Sequence, residues 1–296
     1  MLEYINCNLC GSNNFKILFP VDSSTYIGRC KDCGLVFRNP RVLESEILRE
    51  ISLDRIICEH EKKAWFDSKI HLFKSNLKRL ERYIPNKGRL LDLGCGYGIF
   101  LKMAKDRGWQ VEGIEIAQSA LRYAQEVLGL KVYGTTLKEV RFPDKYFDVV
   151  TLWEVLGQLY DPQGTLKEIN RILKPEGLIA LRLHNADFHV SLQLLLERLN
   201  HPEKKLGLLP TVFHNYNFSP LTIKLMLKEA GFQEIKIYVS EFTKGDPYGS
   251  AGIFGDKVMR LIKVILFYLS QIIYYISFKR WIIAPSFLVF ARKPKE

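Results

Sequence analysis

From residue 60 onward, apolar positions recur at helical spacing. In HEKKAWFDSKIHLFKSNLKRLERYI, Trp65, Ile70, Phe73, Leu77, Leu80 and Ile84 fall near one face and predict a helix over 60–84. Pro85-Asn86-Lys87-Gly88 ends it. Short apolar runs then alternate with amphipathic stretches. Strands are predicted over 89–93, 111–116, 131–133, 147–153 and 178–183, and helices over 99–107, 119–128 and 162–173. Such alternation predicts an α/β fold, a doubly wound and mostly parallel sheet covered on both faces. A stretch over 184–218, rich in histidine, asparagine and aromatics, interrupts the alternation where a strand ends. A helix over 221–230 follows, started by Ser219-Pro220 and stopped by Gly231, and strands over 233–240 and 286–292 close the pattern.

Between the last two strands, VMRLIKVILFYLSQIIYYISF has another helical stripe: Val258, Leu261, Ile262, Ile265, Leu266, Leu269, Ile272, Ile273 and Ile276. Its charge-free part, 264–278, would make a helix of about 22 Å, short of a hydrocarbon core of about 30 Å. Lys257, Arg260 and Lys263 at one end, with Lys279 and Arg280 at the other, suit a helix lying in a membrane interface. Burial against the main sheet or a twin subunit would satisfy the same pattern.

The net charge of +11 is unevenly spread. Residues 252–296 carry eight Lys/Arg against two Asp/Glu, whereas residues 89–251 are nearly neutral. A basic tail fits a membrane surface at least as well as it fits RNA, and the neutral middle argues against nucleic acid. The N-terminus has no apolar stretch behind basic residues, so a cytoplasmic protein is expected, with peripheral contact at the inner face of a membrane through 257–280.

Four of the six cysteines form two knuckles, Cys7-Asn-Leu-Cys10 and Cys30-Lys-Asp-Cys33, each followed by glycine. The spacing is that of a four-thiolate zinc site, which leaves no position for water and would be structural. Cys58 reads as an ordinary buried thiol. The chain thus divides into a zinc-knuckle module (1–40), a helical linker and lead-in helix (41–88) and an α/β domain (89–296). The last carries a substrate-lid insertion (184–218) and an amphipathic helix (257–279).

LLDLGCGYGIF, residues 90–100, places Gly94, Gly96 and Gly98 at the end of the first predicted strand of the sheet. A dinucleotide fingerprint needs its third glycine at 99, where Ile99 stands. Asp92 precedes the glycines and suits a ligand bearing an amine. Glu115 ends the next strand and can accept hydrogen bonds from both hydroxyls of a ribose. An amino acid joined to a nucleoside meets both demands, and S-adenosylmethionine is such a molecule.

Residues 89–183 resemble the class I S-adenosylmethionine-dependent methyltransferases, in a branch with short, degenerate motifs. The matching stretches are LLDLGCGYG, VEGIEIA, FPDKYFDVVTLWEVLGQLYDP and LKEINRILKPEGLIAL. LRLHNADF, FHNYNFSP and LKEAGF resemble the part of that branch that carries an N-terminal cysteine-knuckle module. The resemblance implies a seven-stranded Rossmann-like sheet, with Gly94, Cys95 and Gly96 at the methionine end of the cofactor, Asp92 at its amine and Glu115 at its ribose. Tyr97, Ile116 and Trp153 would shape the pocket. The adenine contact would fall to Thr136 or the backbone near Leu137, since the aspartate that the family often has there is missing. A Glu-His pair that many relatives carry after the fourth strand is replaced by Gly157-Gln158.

Methyl transfer gains much from alignment and needs a base only if the acceptor must lose a proton. His184, at a strand's carboxyl end, is the first candidate, followed by His214 and Glu154. The expected activity is O-methylation of a small molecule or glycan, including lipid-linked or nucleotide-linked sugars. An RNA methyltransferase, a cofactor-binding sensor without catalysis and a nicotinamide enzyme are the alternatives. The sequence leaves the oligomeric state open.

Overall fold

The structure, a computed structural model, describes residues 1–52, 59–200, 211–243 and 255–295. The readings of Cys58 and of residues 201–210 of the insertion lie outside the described residues, as do the side chains of Trp65, Lys257, Val258, Arg260, Ile262 and Lys263.

Five short strands open the chain: β1 (Leu2–Glu3), β2 (Phe15–Pro20), β3 (Tyr26–Cys30), β4 (Val36–Asn39) and β5 (Arg41–Val42). Helices α1 (Glu44–Ser52) and α2 (Glu59–Tyr83) lead into the main domain. There the order is β6 (Arg89–Leu93), α3 (Ile99–Asp106), β7 (Gln110–Ile114), α4 (Gln118–Arg122), β8 (Val132–Tyr133), α5 (Leu137–Val140), β9 (Phe147–Trp153), α6 (Pro162–Ile172) and β10 (Leu173–His184). The remainder comprises α7 (Ala186–Arg198), β11 (Tyr216–Asn217), α8 (Pro220–Glu229), β12 (Gln233–Val239), α9 (Gly255–Ile276) and β13 (Ser286–Arg292).

Seven strands form the main sheet in the order β12-β13-β10-β9-β6-β7-β8. β13 runs antiparallel to both neighbours, and the pairings from β10 to β8 are parallel. The predicted strands are all present. One predicted helix differs: past Arg122 the backbone widens into a π-helical turn, Tyr123–Val127.

One apolar cluster joins Val150, Leu152, Ile179 and Leu181 of the sheet to Leu9, Leu35 and Phe37 of the N-terminal segment. The cysteine-bearing segment therefore shares the sheet's core. The other face is covered by Phe73, Leu77 and Leu80 of α2 with Phe100 and Leu101 of α3. Ile70, predicted to face inward, is exposed, and Leu72 is buried in its stead. A second sheet, β11-β4-β3-β2, takes its edge strand from the insertion: Tyr216 pairs with Phe37, and Asn217 with Val36.

Candidate active site

β6 lies between β7 and β9, so the loop after it opens at the carboxyl end of the sheet's parallel part, where such sheets bind ligands. Gly94, Gly96 and Gly98 all have positive φ, 69, 54 and 76°. At Gly94 a Cβ would lie 2.5 Å from a Val155 methyl, so a side chain would force the loop away from the end of β9. The Gly96 amide donates to Glu115 Oε2 at 2.7 Å, and the Ala117 amide to Oε1 at 2.9 Å. Glu115 thus holds its carboxylate against the glycine loop, where a ribose diol could meet it.

Asp92 lies deeper, 1% exposed, with Oδ1 accepting from the Thr151 hydroxyl at 2.6 Å. Burial, opposed by that hydrogen bond and aided by the Glu115 charge, pushes its pKa up to about 8. Cys95 is buried beside it, and burial pushes its thiol up as well. Phe66 and Tyr123 each meet Tyr97 of the loop edge to face and are tilted against one another, with ring centroids 5.6–5.9 Å apart. Trp153 packs against Phe100 at 4.9 Å, and its buried indole N–H has no hydrogen-bond partner. Thr136 caps α5 in a capping box with Glu139, Leu137 is buried, and Ile116 is half-buried between Glu115 and α4.

The three base candidates come together at the ends of β9 and β10. Glu154, Gly157, His184 and His214 line one narrow cavity with Leu183, Tyr216, Asn217 and Phe218. Its volume is about 10 Å³, the room of a single water. Glu154 sits in the left-handed region, φ 68°, which a non-glycine residue adopts at some cost. Its carboxylate contacts the Arg182 guanidinium, Lys69 Nζ at 3.0 Å and His184 Nε2 at 3.8 Å. Burial and the Arg182 charge bring Lys69 down to about 8. Arg182 also donates to Ser240 Oγ at 2.9 Å and the Glu241 carbonyl at 3.1 Å.

His184 and His214 have ring centroids 5.6 Å apart. Burial, then the charges of Arg182 and neighbouring groups, holds His184 well below the ordinary imidazole value. Burial and the Arg38 charge also lower His214. His214 Nε2 is buried without a hydrogen-bond partner, while its backbone is pinned by reciprocal bonds with the Asn217 side chain at 2.8 and 3.0 Å.

Gly157 explains the departure from the Glu-His pair. A Cβ there would lie 2.5 Å from the Tyr216 carbonyl and 3.5 Å from His214 Cβ. The insertion fills the space that a side chain at 157 would need, and brings an imidazole with it. Lys69 and Arg182 were not among the sequence candidates. Arg182 left a signal, an ion within the otherwise apolar strand LIALRLH, and a buried ion requires a partner. Lys69 left none, since α2 reaches the site only through tertiary packing.

At the N-terminus, the sulfurs of Cys7, Cys10, Cys30 and Cys33 all lie within 4.8 Å of one another. Cys7 and Cys33 are 3.4 Å apart, and Cys10 and Cys30 3.6 Å. The edges of a zinc–sulfur tetrahedron are about 3.8 Å. Gly11 and Gly34 take positive φ and donate their amides to the Cys7 and Cys30 carbonyls at 2.8 and 3.0 Å, which closes each knuckle.

A parallel sheet with a glycine loop at its carboxyl end, a carboxylate at the next strand's end and one antiparallel strand near the edge defines a Rossmann-like protein built for a nucleoside cofactor. Comparison with known proteins resolves the family. The model of a methyltransferase domain matches residues 66–237, and the chain belongs to that family. A protein of Methanocaldococcus jannaschii without an assigned activity is 29% identical over 194 residues, 65% of this chain and 86% of that protein. A ubiquinone biosynthesis O-methyltransferase of Coxiella burnetii is 27% identical over 154 residues, 50% of this chain and 64% of that enzyme. The chain spans less than two thirds of the length of several curated relatives that it matches. Among solved structures, a phosphoethanolamine N-methyltransferase of Haemonchus contortus in complex with S-adenosylmethionine is 18% identical. It has a TM-score of 0.53 and is matched over 88% of this chain and 63% of that one. An S-adenosylmethionine-dependent methyltransferase of Thermotoga maritima is 21% identical with a TM-score of 0.50, over 79% and 95%. These likenesses show the fold. The chain is an S-adenosylmethionine-dependent methyltransferase, and the nicotinamide alternative gives way.

Proposed function

We propose that this methyltransferase acts on a hydroxyl of a small molecule or glycan, received at the cavity between the ends of β9 and β10. The observation that carries it is the buried, unpartnered Nε2 of His214 in a wall of that cavity. A buried polar atom without a partner is costly, and an acceptor hydroxyl donating to it would remove the cost. The name of the Coxiella relative, an O-methyltransferase, supports oxygen as the atom methylated.

The glycine loop fits S-adenosylmethionine: its backbone turns outward at three glycines, Glu115 can take the ribose hydroxyls, and Asp92 can pair with the amine. Gly94, Cys95, Gly96 and Tyr97 would flank the methionine end, with Ile116, Thr136, Leu137 and Trp153 around the nucleoside. Bound there, the cofactor supplies a methyl group on a sulfonium. The chain's own residues orient the acceptor and take up its proton. Between the two histidines, His214 is the better base. His184 stands among Arg182, Lys69 and two further imidazoles, so a proton there meets more positive charge. Glu154 is committed to Lys69 and Arg182 and acts as the counter-ion that keeps both cations in place. The four cysteines would hold a structural zinc ion.

Calorimetry with S-adenosylmethionine on wild type and Glu115→Ala tests the cofactor site; methyl transfer to a panel of sugars and phenols tests the acceptor side. His214→Ala is expected to lower kcat by about 10²–10⁴ with unchanged cofactor affinity. The acid limb of the wild-type profile should lie below the ordinary imidazole value of about 6.5. Undiminished turnover in His214→Ala would remove that residue as the base, and methylation confined to amines would overturn the choice of oxygen.

A further inference from the structure

Helix α9 turns its more polar side to the protein and its apolar side to solvent. Its inner face consists of Phe267, Ser270 and Tyr274. Tyr274 is buried and donates its hydroxyl to the Ile237 carbonyl at 2.9 Å; the Ser270 hydroxyl lies 2.7 Å from the Leu266 carbonyl and 3.2 Å from that of Ile283. Phe267 packs beside Val239 and Ile282. The opposite face carries Leu261, Ile265, Tyr268, Leu269, Ile272 and Ile276, all exposed. At helical spacing these six form one continuous stripe along the 22-residue helix. The stripe runs on into Phe278 and Trp281, 87% and 66% exposed, which flank the exposed pair Lys279-Arg280.

An apolar stripe of that length marks a surface that meets something. A second copy of this chain would bury it, but the charges oppose that. Lys257, Arg260 and Lys263 occupy the helix's first turns, and Lys279 and Arg280 follow its end. Two such helices laid side by side bring like charges together in either direction. An anionic lipid surface accepts both features: acyl chains take the Leu/Ile stripe, headgroups take the basic ends, and Tyr and Trp rings settle at the boundary. No helix among the described residues is long and apolar enough to cross a membrane, so α9 would lie in the surface.

We infer that the outer face of α9, with the turn over 278–281, docks this protein onto an anionic membrane. The docking turn is fastened to the acceptor cavity. The Asn185 side-chain amide, next to His184, donates to the Ile282 and Ala284 carbonyls, both at 2.9 Å. Docking therefore ties the membrane-bound turn to the segment beside His184, a link that, on the function proposed above, suits an acceptor held at the bilayer.

Flotation of the full chain with vesicles tests this. Vesicles of one third phosphatidylglycerol in phosphatidylcholine should carry the protein, and raised salt or pure phosphatidylcholine should weaken binding several-fold. Leu269→Glu with Ile272→Glu should lower partitioning at least tenfold, and so should Lys279→Glu with Arg280→Glu, which touches no apolar packing. Leu221→Glu, an exposed apolar site on α8, should leave it unchanged. Cofactor binding in each variant reports folding. Absence of vesicle binding by wild type, equal loss in the Leu221 control, or a concentration-dependent dimer abolished by the α9 variants would each overturn the inference, the last in favour of a second copy.

Discussion

Asp92→Asn separates two properties that the glycine loop has to reconcile. In the protein, Asp92 titrates near 8, against an ordinary value of 3.8, because its carboxylate has been removed from water. The folded state therefore keeps a proton that the unfolded state loses. Its contribution to stability is fully present below pH 3.8 and is lost as the pH climbs through the folded value. Relative to a neutral side chain, the cost is about 2 kcal/mol near pH 5 and about 4 kcal/mol near pH 7. Asparagine keeps an oxygen for the Thr151 hydroxyl and carries no charge at any of these values. The stability gap between Asp92→Asn and wild type should thus widen by about 2–3 kcal/mol between about pH 5 and about pH 7. In a chain of this size that is a rise of about 3–5 °C in the relative unfolding temperature. Thermal unfolding of both proteins without cofactor, across that range, measures it. The same substitution should weaken S-adenosylmethionine binding, since the amine loses its carboxylate. A gap that stays constant with pH would refute the claim that burial governs Asp92.

Glu154→Gln removes the carboxylate that contacts the buried Arg182 guanidinium and should cost about 3–5 kcal/mol, read as a lowered urea midpoint; an unchanged midpoint would mean that water already screens the cluster. Gly157→Ala puts a Cβ 2.5 Å from the Tyr216 carbonyl, so it should raise the acceptor KM at least about tenfold and leave cofactor affinity intact. Metal analysis should find one zinc ion per chain, and Cys10→Ser or a strong chelator should remove it. Acceptor turnover should then fall while S-adenosylmethionine still binds; loss of both together would place the zinc module's role in the whole fold.

The sheet was legible because its strands announce themselves locally. Arg89–Leu93 and Phe147–Trp153 are apolar runs with turn residues at both ends, and the structure has them at those bounds. Glu115 and the glycines were legible because one backbone motif fixes their neighbourhood. The π-helical turn after Arg122 was not, since its residues read as an ordinary amphipathic helix. Nor could spacing assign the faces of α9. Leu, Ile and Tyr fill nearly its whole circumference, so the pattern leaves open which arc meets the sheet. Ser270 and Tyr274 decide it, because their hydroxyls reach the Ile283 and Ile237 carbonyls on the protein side. The convergence of Glu154, His184 and His214 depends on where the insertion folds back, which no local signal records.

That fold-back is a product of the cysteine module. β11 hydrogen-bonds to β4, and the Arg38 amide donates to the Asn215 carbonyl at 2.9 Å. Arg41 donates to the Tyr160 carbonyl at 2.8 Å and the Tyr216 hydroxyl at 3.1 Å, with its guanidinium 4.4 Å over the Tyr160 ring. Asn8 holds the start of α6 by accepting from the Gln163 amide at 2.9 Å and donating to Asp161 at 3.0 Å. Each contact lies on the acceptor side of the sheet. None reaches the glycine loop, Glu115 or Asp92. The two halves of the reaction therefore rest on different hydrogen-bonded supports: the glycine loop and Glu115 on the parallel strands, with Phe66 of α2 packed on Tyr97, and the acceptor wall on strands borrowed from residues 1–42. A four-thiolate ion binding the two knuckles together would stiffen β3 and the turn into β4, and through β11 the backbone that aims His214. Metal at one end of the chain would then govern the rate of transfer through geometry, with no part in the chemistry.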